Sequence, residues 1–171
     1  QKKSFNRSSA NKIGVKKARS AHKIAGDGVN VGIWDGGAIQ DSHKEFGNRV
    51  SIETNYGYSD HATHVAGSIG AAGIKAKAKG MAPETNIFSY DFDGNIASQV
   101  KNAKKKHDIL LSNHSYGYGK GWEVDYINDQ IGWAWVWWGT DYFGYYSSES
   151  KSLDKAVTGK KVTMVFSAGN D

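Results

Sequence analysis

From Gly26 onward, short apolar runs alternate with helix-like segments of mixed polarity. Val29 to Asp35, VNVGIWD, is β-branched and apolar and ends on a carboxylate. Asn86–Tyr90, Asp108–Asn113 (DILLSN) and Lys161–Ser167 (KVTMVFS) are similar runs, and all four read as short buried strands. Between them the pattern predicts helices over His61–Ala72 and Asn95–Lys106, with a weaker one near Ser150–Thr158. Strands alternating with helices of this length predict an α/β fold with a mostly parallel sheet covered on both faces. In such sheets functional groups gather beyond the carboxyl ends of the strands, which is where Asp35 stands.

A chain of 171 residues accommodates one domain with a real core. Hydrophobic residues make up 39% of it, and 21 glycines fit a globular protein with many tight turns rather than a disordered one. No apolar run approaches the roughly 20 residues a membrane helix requires, and the start lacks the form of a signal peptide. Gln1 in place of Met is expected of a processed form or a fragment. Without cysteine there is neither a disulfide framework nor a thiolate metal site.

The formal net charge of +5 is concentrated at one end. Residues 1–25 hold Lys2, Lys3, Arg7, Lys12, Lys16, Lys17, Arg19 and Lys23 with no acidic residue, so residues 26–171 carry 14 basic against 17 acidic side chains. The first 25 residues therefore form a basic arm ahead of a domain spanning 26–171. Such an arm suits nucleic acid or an anionic surface, but a solvated leader lying on the domain is the plainer reading, with no nucleic-acid or membrane partner expected. A second cluster, KNAKKK at 101–106, falls where a helix should end, where cations meet the negative end of its dipole.

The segment SDHATHVAGSIGAAG puts His61 and His64 three residues apart at the start of a predicted helix. A metal site would need a third ligand from Asp35, Asp60 or His43, and the Glu of a His-Glu-x-x-His pattern is absent, so no metal is assigned. His64, one turn into an Ala/Gly/Val-rich helix, reads as a packing residue. His61 stands at the helix start, open to a cleft, where a general base is presented. At the far end, VFSAGND runs an apolar strand into Ala168, Gly169 and Asn170. Asn170 alone reads as a turn residue; beside Asp35 and His61 it reads as a fixed dipole aimed at an oxyanion.

Together these segments resemble the subtilisin-like serine proteases, the subtilases of peptidase family S8. VNVGIWDGG is similar to the strand and turn bearing the family's Asp, HATHVAGSIGA to its His-Gly-Thr-His-Val-Ala-Gly block, and FSAGND to its Ala-Gly-Asn oxyanion segment. LSNHSYG resembles the strand and turn along the substrate cleft, and GMAPETNIFSYD the Gly-x-Ala-Pro strand entry. The resemblance spans residues 26–171 and implies a three-layer αβα subtilisin-like fold, incomplete in this chain. It implies a serine endopeptidase with Asp35, His61 and Asn170 as catalytic residues, and Ser115, Tyr116 and Gly117 as backbone contacts to a polypeptide substrate. His64 then becomes a scaffold residue. The overall style resembles subtilases secreted by Bacteroidetes-type bacteria, which implies a secreted or cell-surface protein.

Departures from the family pattern carry information too. Ala62 replaces the usual Gly and is expected to narrow the cleft slightly. An aromatic-rich insertion occupies about 118–148, and the alternating Trp133, Trp135 and Trp137 are expected on one face of an extended segment; packing into a small core of its own is the first reading, with extension of the substrate cleft or glycan binding as the alternatives. No cofactor is required. Subtilases often carry calcium, but DFDGN at Asp91–Asn95 offers three acidic or amide groups in a turn, too few to locate a site. The sequence contains no Gly-Thr-Ser block after Asn170. The resemblance therefore implies that the serine comes from a downstream segment or a companion C-terminal fragment, and that this chain alone is inactive. The alternative is a non-catalytic protein- or glycan-binding module derived from a subtilase.

Overall fold

The computed structural model of the chain describes residues 6–54, 56–117, 121–139 and 144–169. Two short helices come first, α1 (Asn6–Lys12) and α2 (Val15–His22). They rest on the domain: Asn6 Nδ2 donates to Ala78 O at 3.1 Å and Arg19 Nη1 donates to Gly80 O at 3.0 Å. The remaining α-helices and strands among the described residues are β1 (Asn30–Asp35), β2 (Val50–Ile52), α3 (Asp60–Gly70), β3 (Asn86–Asp91), α4 (Ile96–His107), β4 (Leu111–His114), β5 (Trp122–Asn128), β6 (Gly132–Trp137), α5 (Ser148–Val157) and β7 (Thr163–Phe166), with a short 3-10 turn at Ala76–Ala78 between α3 and β3.

Five strands form one parallel sheet in the order β2-β3-β1-β4-β7. The central strand β1 alternates between its two faces, as the sequence pattern requires. Val31 and Ile33 pack with Ala62 and Ala66 of α3, together with Ile39, Phe46 and Ile87. Trp34 points the other way, into a cluster with Val100 and Ala103 of α4, against which Leu153 and Val157 of α5 also pack. Gly32 makes room for that indole, since a Cβ there would stand 2.4 Å from Trp34 Cζ3. The helices thus cover both faces, giving the mixed α/β architecture with a parallel central sheet that the sequence pattern predicts.

Helix ends are set by local chemistry. The α4 helix starts at Asn95, whose side chain accepts the Ser98 N–H at 2.9 Å, and ends on Lys104 to His107. Asp108, read from sequence as the first residue of a strand, instead caps α4 in the left-handed region (φ 51°), and pairing in β4 begins only at Leu111. Aspartate tolerates that conformation better than most residues.

β5 and β6 form a separate antiparallel hairpin with Trp122 opposite Trp137, Val124 opposite Trp135 and Tyr126 opposite Trp133. The expected alternation holds, but the expected core does not. Trp133, Trp135 and Trp137 are 71%, 60% and 50% exposed. All six paired residues point to one side of the ribbon, and that side is open. Among the described residues no helix is long and apolar enough to cross a membrane.

Candidate active site

The carboxyl end of β1 delivers Asp35 into the crevice where the sheet connections reverse direction, with β3 on one side and β4 on the other. Its carboxylate is almost fully buried and accepts the Gly36 N–H at 2.9 Å. A buried charge needs such partners, and His61 supplies the second. Nδ1 of His61 lies 2.8 Å from both carboxylate oxygens of Asp35. The His61 side chain is 60% exposed while that of Asp35 is 5% exposed. The pair therefore has one anchored end and one presented end, with Nε2 on the ring edge away from the carboxylate.

The turn after β1 fixes this register. Ser59 is the N-cap of α3, accepting the Ala62 N–H at 3.2 Å, and its own N–H donates to Ala38 O at 2.8 Å. Ala38 N–H donates to Gly57 O at 2.7 Å, and Gln40 N–H donates to Thr63 Oγ1 at 2.9 Å. The strand end and the helix start are thus stitched by hydrogen bonds from both directions. Gly37 sits at the crossing with φ 114°, and a Cβ there would meet Gly57 O at 3.0 Å. Only glycine fits that approach.

Two neighbouring expectations are corrected. Ala62 does not face the cleft: it is fully buried and packs under β1 with Val31 and Ile33. His64 is not a packing residue, since its side chain is exposed and lines a shallow surface hollow with His43, Glu45 and Asp60. Helical phase explains both. Ala62, Ala66 and Gly70 recur at four-residue spacing and form the buried stripe, so the positions one before Ala62 and two after it face outward.

Ser115, Tyr116 and Gly117 continue the chain past β4, beyond the paired part of the sheet. Asn113 Nδ2 donates to Ser115 Oγ at 2.9 Å, and Ser167 Oγ donates to Tyr116 O at 3.2 Å, tying this stretch to the end of β7. Asn170 lies outside the described residues. In the Asp91–Asn95 turn, Asp91 Oδ1 accepts the Asp93 N–H at 2.8 Å and Asn95 caps α4.

Sequence reading missed His114. It is fully buried, its Nε2 bonded to Ser112 Oγ and its Nδ1 2.9 Å from Tyr116 OH. Burial pushes its imidazole down from 6.5 to about 4, so it is neutral near pH 7. The signal was available: Ser112, His114 and Tyr116 alternate, so they share one face of an extended strand.

A family model described as the Subtilase family, peptidase S8, matches residues 26–171. No curated protein matches the chain. Solved structures with the same fold include the prenylagaramide maturation protease PagA, with a TM-score of 0.65 and 20% identity over 92% of this chain and 52% of that one. The CspB protease of Clostridium perfringens has a TM-score of 0.64 and 18% identity, over 91% of this chain and 39% of that one. A cold-adapted subtilisin-like serine proteinase has a TM-score of 0.52 and 24% identity, over 86% of this chain and 48% of that one. The chain thus spans between 39% and 52% of the length of these structures. A family match over nearly the whole sheet and both its helical layers leaves one classification: the chain belongs to the subtilase family.

Proposed function

We propose that this chain carries the acid-base part of a serine endopeptidase, with the nucleophilic serine supplied by a downstream segment or a companion C-terminal fragment. The observation that carries the reading is the His61–Asp35 pair: a nearly buried carboxylate 2.8 Å from Nδ1 of an imidazole whose other edge is open. That geometry holds one tautomer, with the proton on Nδ1 and a lone pair on Nε2. Nε2 takes the serine hydroxyl proton as the oxygen attacks the scissile carbonyl, and Asp35 stabilises the imidazolium. The proton then passes to the leaving amine, and water repeats the sequence to release the acyl group. Asn170 donates to the oxyanion, and Ser115 to Gly117 bind the peptide main chain as an added strand.

The edge strand supports a companion segment. Val165 and Phe166 of β7 are 50% and 46% exposed, an apolar edge suited to further packing. The serine completing the triad belongs to that companion, and the chain by itself is inactive. No cofactor enters these steps, and the setting is extracellular or at the cell surface.

The test is to combine the chain with the rest of its protease and treat it with a serine-directed fluorophosphonate and a chromogenic peptide amide. Labelling and turnover are expected, with His61→Ala lowering kcat by about 10⁶, the scale of triad loss in a subtilase. Turnover that survives His61→Ala rejects this reading. The exposed aromatic face of the hairpin favours a second reading, a non-catalytic module that binds protein or glycan. It leaves the Asp35–His61 pair without a task, and absence of labelling in the combined protein would select it.

A further inference from the structure

At the opposite end of β1 from Asp35 lies a concavity of about 410 Å³ between α2 and the segment leading into β3. Its lining includes Lys16, Arg19, Ser20, Lys23, Ile24 and Lys79, four cations and no acid. Lys75 and Lys77 stand exposed in the same 75–79 stretch and add to the charge. The two walls are distant in sequence but fastened together, because Arg19 Nη1 donates to Gly80 O at 3.0 Å and Asn6 Nδ2 to Ala78 O at 3.1 Å.

Helix chemistry accounts for part of this cluster only. Arg19 lies in the last turn of α2, and Lys23 caps it in the left-handed region, so both offset the dipole there. Lys16, in the first turn, and Lys79, on the other wall, gain nothing from that helix end. Bringing four like charges to one hollow is unfavourable without a counter-charge. A tetrahedral oxyanion matches the arrangement, since its several oxygens each accept from a separate ammonium or guanidinium group.

We propose that this concavity binds a phosphoryl group, either as free phosphate or as a lipid headgroup. Its lining residues Ile24 and Ala25 precede β1, and Ala25 O accepts the Glu84 N–H just ahead of β3 at 2.9 Å, whereas Asp35 ends β1 and holds His61, so this ligand is distinct from a peptide substrate. Exposed Ile13 and Ile24, at 68% and 57%, give a headgroup an apolar margin beside the cations.

Two arms distinguish the sources. Inorganic phosphate is titrated while backbone amide resonances of Ser20, Ile24 and Lys79 are followed, and co-flotation is measured with phosphatidylcholine vesicles with and without phosphatidic acid. Each is repeated for Lys23→Gln with Lys79→Gln, and for Lys101→Gln with Lys105→Gln, which removes equal charge from α4. Saturable shifts or phosphatidic-acid-dependent flotation are expected, weakened about tenfold or more by the first pair and less than about twofold by the second. All these lysines are exposed, so each variant is expected to keep its unfolding temperature. Absence of saturation in both arms, or equal weakening by the two pairs, overturns the proposal.

Discussion

The imidazole of His114 stacks on the indole of Trp34 across the β1–β4 pairing, with ring centroids 5.1 Å apart and planes inclined by 21°. The stack continues to Tyr90 on one side, at 4.5 Å and 8°, and to Phe166 on the other, at 4.3 Å and 13°. Four rings from β3, β1, β4 and β7 thus sit in register, one residue before Asp91, Asp35, Ser115 and Ser167. The residues of the candidate site begin where this aromatic row ends, so its rigidity sets their spacing.

His114 couples that row to pH. Its folded pKa is depressed from 6.5 to about 4 by burial, so between those values the unfolded chain binds a proton that the folded chain refuses. Its neutral packing is thus fully favourable above about pH 6.5 and is progressively lost as pH falls toward 4. Between pH 7 and pH 5 the loss is about 2 kcal/mol. His114→Phe, which keeps a ring in the row, is expected to flatten the urea midpoint over that window. It also strands the buried Ser112 hydroxyl, lowering stability at pH 7 by about 1–3 kcal/mol. An unchanged pH slope would show that His114 is not the titrating group.

Gly37 governs the distance from Asp35 to His61. With φ 114° and a Cβ position 3.0 Å from Gly57 O and 3.1 Å from Ser59 Cβ, Gly37→Ala must displace the cap of α3. We expect about 1–3 kcal/mol of destabilisation and loss of the downfield Nδ1 proton resonance of His61 in one-dimensional proton spectra. Retention of that resonance would mean that the cap can move without moving the imidazole.

How much of this was legible in the sequence depends on whether a feature is local. Val29 to Asp35 shows its own burial and its terminal carboxylate, so β1 and the position of Asp35 follow directly. The start of α3 is equally local, because Ser59 caps it and Asp60 opens its first turn. Strand β2, only three residues long, leaves too short a pattern to detect. The phase of α3 was readable from Ala62, Ala66 and Gly70, yet the small apolar surroundings drew His64 inward and the family resemblance drew Ala62 into the cleft. The aromatic row depends on cross-strand register between residues as far apart as Trp34 and His114, which no local pattern encodes.

Glu45 is a buried clamp on the loop after α3. Its carboxylate accepts the N–H groups of Gly73, Ile74 and Lys75 at 2.7, 3.0 and 2.8 Å. Burial alone would raise its pKa, but those three backbone donors outweigh it and hold the carboxyl below its ordinary value. Its stabilisation is therefore present above about pH 4.5 and is lost as pH falls through the lowered value. Glu45→Gln turns an amide group toward these donors and is expected to cost about 3 kcal/mol. Amide hydrogen exchange at 73–75 should accelerate more than exchange in β1. Uniform acceleration would make the effect global rather than a loss of the clamp.

The hairpin offers the sharpest contrast between composition and structure. Trp122, Trp133, Trp135 and Trp137 carry most of the indole surface of the chain yet face outward, while Trp34 is fully buried beneath α4 with its Nε1–H donating to Gln99 Oε1 at 2.7 Å. An exposed indole contributes little to folding, because its surface stays hydrated in both states. Trp135→Ser is therefore expected to change stability by less than about 1 kcal/mol, whereas Trp34→Ala should cost about 3–5 kcal/mol. Acrylamide should quench most of the tryptophan emission and leave one blue-shifted, protected component that disappears in Trp34→Phe. Strong protection of the bulk emission would mean that the aromatic face is covered in solution, and Trp135→Ser would then lower the unfolding midpoint or change the apparent mass.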